Sequence, residues 1–115
     1  MNKWKGEDGM SELSENIQAM IENIEGYCIL LVQSRTEEEK QFREGLKSAF
    51  TAVITAMYAL YDLPQYADVK EDKIYWEKQL QRICEALDSE DVFFKTDVLK
   101  NETEENFKLF LNMIQ

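Results

Sequence analysis

The sequence predicts a single-domain, all-α protein: an antiparallel bundle of four to five helices in which the last helix is broken. Helix-forming residues dominate the 115-residue chain, whereas proline occurs once and glycine four times. Apolar residues recur at spacings of three and four along most of the chain, which places them on one face of each helix. An apolar fraction of 44% is enough for one core in a chain of this length.

The first helix is expected to begin after a short leader. Residues 1–10 carry two glycines and four charged side chains, so we expect a flexible leader there and a bundle domain at 11–115. Ser11 is a suitable N-cap for a helix over 12–33. The apolar run at 27–32 is also compatible with a buried strand, but it keeps the helical phase and has no second strand to pair with. The residues of the expected core face are Leu13, Ile17, Met20, Ile24, Tyr27 and Leu31.

The second helix is the best-specified element of the chain. A capping box at 36–39 (Thr-Glu-Glu-Glu) marks its start, because the Thr and final Glu side chains can each bond the other's backbone amide. The helix should run from residue 37 to 61 or 62, where Leu63-Pro64 stops it. Its latter half is apolar almost all round, which is typical of a central helix or of a helix at a subunit contact.

The remaining chain is expected to form a third helix, a short fourth segment and a last helix. Asp68 should cap the third helix, whose apolar face contains Trp76 and Leu87. Ser89 opens the short segment, and a second capping box at 101–104 (Asn-Glu-Thr-Glu) restarts the chain for the last helix. Short connections between these helices favour antiparallel neighbours.

Several classes of chemistry are excluded by composition. The sequence contains no histidine, which excludes most hydrolase triads and the Glu-x-x-His motif of di-iron bundles. The four glycines never occur at the spacing of a phosphate-binding loop. Cys28 and Cys84 are too few and too far apart for a disulfide framework, which favours a reducing, cytoplasmic setting. We therefore expect no catalytic residue, no cofactor and no metal site.

The charge of the chain bears on its partners. Thirteen basic residues against 23 acidic ones give a net charge of −10 at pH 7. Phosphate backbones and anionic membrane surfaces both repel such a chain, so we expect neither nucleic acid nor membrane as a partner. A basic protein partner is compatible with this charge, although the charge also serves solubility.

Two acidic pairs, Glu22-x-x-Glu25 and Glu85-x-x-Asp88, resemble those of the all-α nucleotide pyrophosphohydrolases. In that family a Glu-x-x-Glu pair and a Glu-x-x-Asp pair face each other on adjacent helices, so the resemblance implies a Mg²⁺-dependent nucleotide hydrolase. This sequence departs from the family pattern, since the whole of helix two separates the pairs. The phase of helix one also turns Glu22 and Glu25 away from its apolar face. We therefore rank this function last.

Aromatic residues flank the predicted turn between helices two and three. Tyrosine and tryptophan are enriched at protein contacts because they offer a large rigid surface with a polar tip. These residues either close one end of the core or form a contact surface. Helix two has two adjacent apolar stripes, and a homodimer would bury the second of them. The candidate interaction residues are therefore Phe50, Ile54, Met57 and Tyr61 of that stripe, with Tyr58, Tyr66, Tyr75 and Trp76 around the turn.

Three functions follow from these observations. The leading hypothesis is a non-enzymatic, cytoplasmic helical bundle that acts through protein contacts, of which a homodimer is one form. The second is an acidic inhibitor or immunity-type protein that caps a basic partner. The third is the Mg²⁺-dependent nucleotide pyrophosphohydrolase.

Overall fold

A computed structural model describes residues 2–33 and 36–114, with side chains from Ser11 onwards. These ranges contain no strand, and the predicted all-α bundle of four to five helices is confirmed. A 3₁₀ turn (Pro64–Val69) joins the second and third helices, and a π-helical segment (Asp97–Glu104) joins the fourth and fifth without a gap. The helices are α1 (Asn2–Gln33), α2 (Thr36–Tyr61), α3 (Asp72–Asp88), α4 (Val92–Thr96) and α5 (Glu105–Ile114).

The first helix begins earlier than the sequence predicts. Its backbone is helical from Asn2, so Ser11 is not its N-cap and the predicted helix start at residue 12 is wrong. Glycines weaken a helix without forbidding it, because a helix that is already nucleated gains one hydrogen bond for each added residue. The side chains of residues 2–10 lie outside the described set, and the division into leader and bundle domain stays a prediction. The run at 27–32 lies within the helix, so the strand alternative is wrong.

The second helix lies at the centre of the bundle. It packs against α1 on one side and α3 on the other, while the last helical segments pack across α1 and α3. Its second apolar stripe is in the core of a single chain, where Phe50, Ile54 and Met57 are fully buried and Tyr61 nearly so. The central-helix interpretation is therefore correct. The chain's own helices cover Phe50, Ile54 and Met57, so these three side chains are not available for a homodimer contact. The homodimer itself stays a prediction.

The connection to α3 differs from the prediction. Leu63 has the extended backbone that a residue before proline prefers, and the 3₁₀ turn occupies the next six residues. As a result α3 begins at Asp72, and Asp68 lies inside the turn and does not cap the helix. Within α3, Trp76 and Leu87 are buried as expected.

The fourth helix is capped by a residue that the sequence analysis did not select. The Asp91 carboxylate accepts hydrogen bonds from the backbone amides of Phe93 at 3.0 Å and Phe94 at 3.2 Å. Ser89 acts one step earlier, since its hydroxyl oxygen accepts from the Asp91 amide at 3.0 Å. The two residues together fix the turn out of α3.

The predicted capping box at 101–104 does not form. Instead the Asn101 amide donates to the Asp97 carboxylate at 3.1 Å, and the Thr103 hydroxyl donates to the Val98 carbonyl, five residues earlier, at 2.8 Å. The expected break and restart is thus replaced by a helical path from α4 to α5 that contains the π segment.

The π segment changes which face of the last helix is buried. In an uninterrupted α-helix Leu109, eleven residues after Val98, would share its face, whereas Phe107, nine residues after it, would lie opposite. The structure has the reverse arrangement: Val98 and Phe107 are fully buried and Leu109 is 66% exposed. A π turn contains more residues than an α turn, so the buried positions shift from 105 and 109, which an α-helix would bury, to Phe107 and Leu111.

We predict that Phe107→Ala lowers the free energy of unfolding by about 3–5 kcal/mol, because it removes a buried ring that contacts Trp76 and Phe50. The matched control Leu109→Ala should change it by about 0.5 kcal/mol or less. Urea unfolding monitored by circular dichroism measures both. A large effect at Leu109 with a small one at Phe107 would indicate an uninterrupted α-helix.

Candidate functional site

An open groove of about 280 Å³ lies between the end of α2, the start of α3 and α5. Its inner wall is formed by three buried aromatic residues, and its edges by Tyr75, which is 48% exposed, and Leu109. The lining residues are Tyr61, Asp72, Tyr75, Trp76, Asn106, Leu109, Phe110 and Met113.

Ring contacts hold the inner wall in place. Trp76 stacks on Phe107 with ring centroids 5.4 Å apart and meets Phe110 edge-on at 6.2 Å. Tyr61 also meets Phe110 edge-on, at 5.7 Å. Tyr75 contacts Trp76 in the same way at 6.2 Å. Such pairs restrict each ring to a few orientations.

A buried hydrogen bond orients two of these rings. The indole N–H of Trp76 donates to the Tyr61 hydroxyl at 3.0 Å. Burial raises the pKa of Tyr61 to about 12; the Trp76 hydrogen bond opposes this shift and the nearby Asp72 charge adds to it. Tyr61 is therefore a neutral phenol at physiological pH.

The polar groups of the groove favour a hydrogen-bond donor. The side-chain amide of Asn106 donates to the Tyr75 hydroxyl at 2.7 Å and to the side-chain oxygen of Gln79 at 3.1 Å, which leaves the Asn106 oxygen to accept from a further group. Asp72 contributes a carboxylate. None of the lining residues is basic. The groove thus offers apolar surface together with acceptors.

The eight candidate interaction residues separate into three groups. Phe50, Ile54 and Met57 are fully buried core residues and belong to no surface. Tyr58 and Tyr66 are half-buried against the core. The other three residues line the groove, with Tyr61 and Trp76 closing the core and Tyr75 largely exposed at the edge; they are Tyr61, Tyr75 and Trp76.

Sequence reasoning missed the contribution of α5 to the groove. Asn106, Leu109 and Met113 line it because the π segment has rotated α5. One sequence signal was available: Val98 and Phe107 are both apolar although nine residues separate them, which is out of phase for one α-helical face.

A partly buried ion cluster, formed by Tyr27, Glu39, Arg43 and Lys95, lies at the junction of four helices. The Lys95 side chain is only 5% exposed, and its ammonium donates to the Tyr27 hydroxyl at 2.9 Å and to the Glu39 carboxylate at 3.0 Å. Tyr27 also donates to that carboxylate, at 2.6 Å. Arg43 Nε lies 3.6 Å from it, and the same guanidinium donates to the Leu87 carbonyl at 3.4 Å. The cluster therefore connects α1, α2, α3 and α4.

The charges in this cluster are mutually compensated. Burial alone would raise the pKa of Glu39, but the hydrogen bonds from Tyr27 and Lys95 outweigh it, and the pKa lies below its ordinary value. Burial, reinforced by Glu39, raises the pKa of the Tyr27 phenol. The neighbouring cavity of about 480 Å³ contains as many acidic as basic lining residues and so does not select the sign of a ligand. We interpret the cluster as a structural ion pair.

The acidic residues of the hydrolase resemblance are not brought together as a metal site. Glu22, Glu25, Glu85 and Asp88 are all exposed, and Asp88 forms an ion pair with Lys47. Among the described side chains, at 11–33 and 36–114, no group of three or more acidic or cysteine residues is placed to hold a metal ion.

Comparison with protein-family models, with curated proteins and with solved structures gave no match to this chain. None of the helices in the described part of the chain is long and apolar enough to cross a membrane.

We predict that Lys95→Met lowers the free energy of unfolding at pH 7 by about 2–3 kcal/mol, because the Glu39 carboxylate loses its buried counter-ion and keeps only Tyr27 and the more distant Arg43. The double variant with Glu39→Gln should recover part of this loss, since no uncompensated charge then remains. Urea unfolding of the four proteins of the cycle measures the coupling. Additive effects of the two substitutions would contradict an interaction between them.

The lowered pKa of Glu39 also predicts a pH dependence. A carboxylate whose pKa is lower in the folded than in the unfolded state stabilises the fold at any pH above its unfolded-state pKa. This contribution is lost as the pH falls through the folded-state pKa. Glu39 should therefore stabilise the protein at neutral pH and lose that effect as pH falls below about 4.5, its ordinary value. Thermal unfolding between neutral and acidic pH should show a shallower loss of stability for Glu39→Gln than for the natural chain. Parallel pH curves would contradict this assignment.

Proposed function

We propose that this protein is a non-enzymatic binding module that holds a basic segment of another protein in the aromatic groove. The observation that supports this most is the lining of the groove, which is aromatic and apolar apart from Asn106 and a single charged residue, Asp72. The proposal combines the leading sequence hypothesis with the second one, in which an acidic protein caps a basic partner.

The apolar part of the groove supports a protein partner. Leu109 and Tyr75 present large side chains to solvent beside a wall of buried rings. Aromatic residues in a partly formed pocket are the usual sites where binding energy concentrates at protein contacts. A helix or extended segment with one apolar face would bury these edges.

The charge of the chain supports a basic partner. A net charge of −10 at pH 7 attracts a basic segment and accelerates its association, whereas it repels an acidic one. A second copy of this chain would bring the same negative charge to the contact, so we favour a different protein over a homodimer. The same charge disfavours nucleic acid.

The expected cytoplasmic setting belongs to this proposal. Cys28 and Cys84 are free thiols in the structure, as a reducing compartment would keep them.

Binding of a designed peptide tests the proposal. The probe is an amphipathic helical peptide with leucines on one face and lysines on the other, and the comparison peptide carries glutamates in place of the lysines. We expect the lysine peptide to bind in isothermal titration calorimetry at physiological ionic strength and the glutamate peptide not to bind.

Two charge-matched variants locate the binding surface. Leu109→Arg removes an apolar edge of the groove and should weaken the lysine peptide by about tenfold, equivalent to about 1.4 kcal/mol. Phe93→Arg makes the same charge change at a side chain that is 87% exposed and lies outside the groove, so it should have a much smaller effect. Equal affinity losses in the two variants would show that net charge, and not the groove, determines binding.

A further inference from the structure

We propose that the groove receives one basic side chain, a lysine or an arginine of the partner protein, between the Tyr75 ring and the Asp72 carboxylate. This inference rests on the proposed function and specifies which group of the partner enters the groove.

The chain itself surrounds two of its own basic side chains in this way. The Lys95 ammonium lies 5.5 Å from the centre of the Tyr27 ring and 3.0 Å from the Glu39 carboxylate. One aromatic ring and one carboxylate thus share a single cation, which is attracted both by the negative face of the ring and by the opposite charge of the carboxylate.

The second case uses an arginine. The Arg82 guanidinium lies 5.6 Å from the centre of the Phe94 ring, and its Nε lies 2.6 Å from the Glu102 carboxylate. Within this fold, a lysine and an arginine are thus each bound by the same combination of an aromatic ring and a carboxylate.

The groove contains the ring and the carboxylate without the cation. Asp72 and Tyr75 are three residues apart on α3, so their side chains share one face of the helix. The Asp72 carboxylate forms no ion pair with any residue that the structure describes.

Two nearby lysines are engaged elsewhere. Lys73, next to Asp72 in sequence, forms an ion pair with Asp62 at 3.2 Å. Lys108, next to Leu109, lies 3.5 Å from Glu104 and 3.6 Å from Glu105. Neither of these lysines supplies a cation to the groove, and none of the residues that line it is basic.

The size and chemistry of the groove suit the end of one side chain. Its volume of about 280 Å³ accommodates an ammonium or guanidinium group with its methylene chain. The methylenes would lie against Leu109 and Met113, and the charged end would reach the acceptors Asp72 and Asn106. A neutral side chain of the same length would gain only the apolar contacts with Leu109 and Met113.

Nuclear magnetic resonance titration of the full chain tests this inference. The probes are acetyl-arginine amide and its neutral analogue acetyl-citrulline amide, followed through the indole N–H signal of Trp76. Because the chain has two tryptophans, Trp4→Phe assigns that signal. We expect the arginine derivative to shift the signal in a saturable way and the citrulline derivative to shift it little.

Three variants make the result specific to the carboxylate. Asp72→Asn should weaken binding of the arginine derivative by about fivefold, whereas Asp72→Glu should retain it. Glu44→Gln removes the same charge from an exposed position on α2, outside the groove lining, and should leave binding nearly unchanged.

The outcomes separate this inference from the function on which it rests. If Leu109→Arg weakens the lysine peptide but the arginine and citrulline derivatives bind equally, the groove binds proteins without selecting a cation and this inference is overturned. If Asp72→Asn and Glu44→Gln weaken binding equally, general charge accounts for the effect and the inference is likewise overturned. If Leu109→Arg leaves peptide binding unchanged, it is the proposed function that fails.

Discussion

The position of Phe107 determines how the last helix meets the rest of the bundle. Its ring stacks on Trp76 of α3 at 5.4 Å and on Phe50 of α2 at 6.1 Å, so a single buried side chain joins three helices. This contact fixes the rotation of α5, which in turn brings Phe110 into the wall of the groove and Leu109 to its edge. The candidate binding surface is thus a consequence of core packing.

The π segment that makes this contact possible is held by polar side chains. Gln79 donates to the Thr103 hydroxyl at 3.0 Å, and Thr103 donates in turn to the Val98 carbonyl. The same rotation turns Glu104 inwards, where its Oε1 is buried and has no hydrogen-bond partner among the described residues. Leaving a buried polar atom unpaired is destabilising, so the aromatic stack must outweigh it.

The sequence predicts the fold class and most core faces because helical periodicity is strong in this chain. The predicted span of α2, from residue 37 to 61 or 62 before Leu63-Pro64, agrees with Thr36–Tyr61, while the Glu39 carboxylate of the predicted capping box accepts from Tyr27 and Lys95. Periodicity does not locate the start of α1 or the cap of α3, since these depend on how far a packed helix extends and on the 3₁₀ turn. It also cannot separate core from contact surface: Phe50 and Met57 satisfy either role on a helix that is apolar all round. Half of the groove was missed because a π segment changes helical phase without a characteristic residue type.

The central claim is that the π segment places Phe107 in the core and Leu109 at the groove. The most direct test is a nuclear Overhauser measurement on isotopically labelled protein. The structure predicts strong cross-peaks from the Phe107 ring to both Phe50 and Trp76, and none from the Leu109 methyl groups to Phe50. Cross-peaks between Leu109 and Phe50, with Phe107 accessible to a soluble paramagnetic agent, would contradict the account.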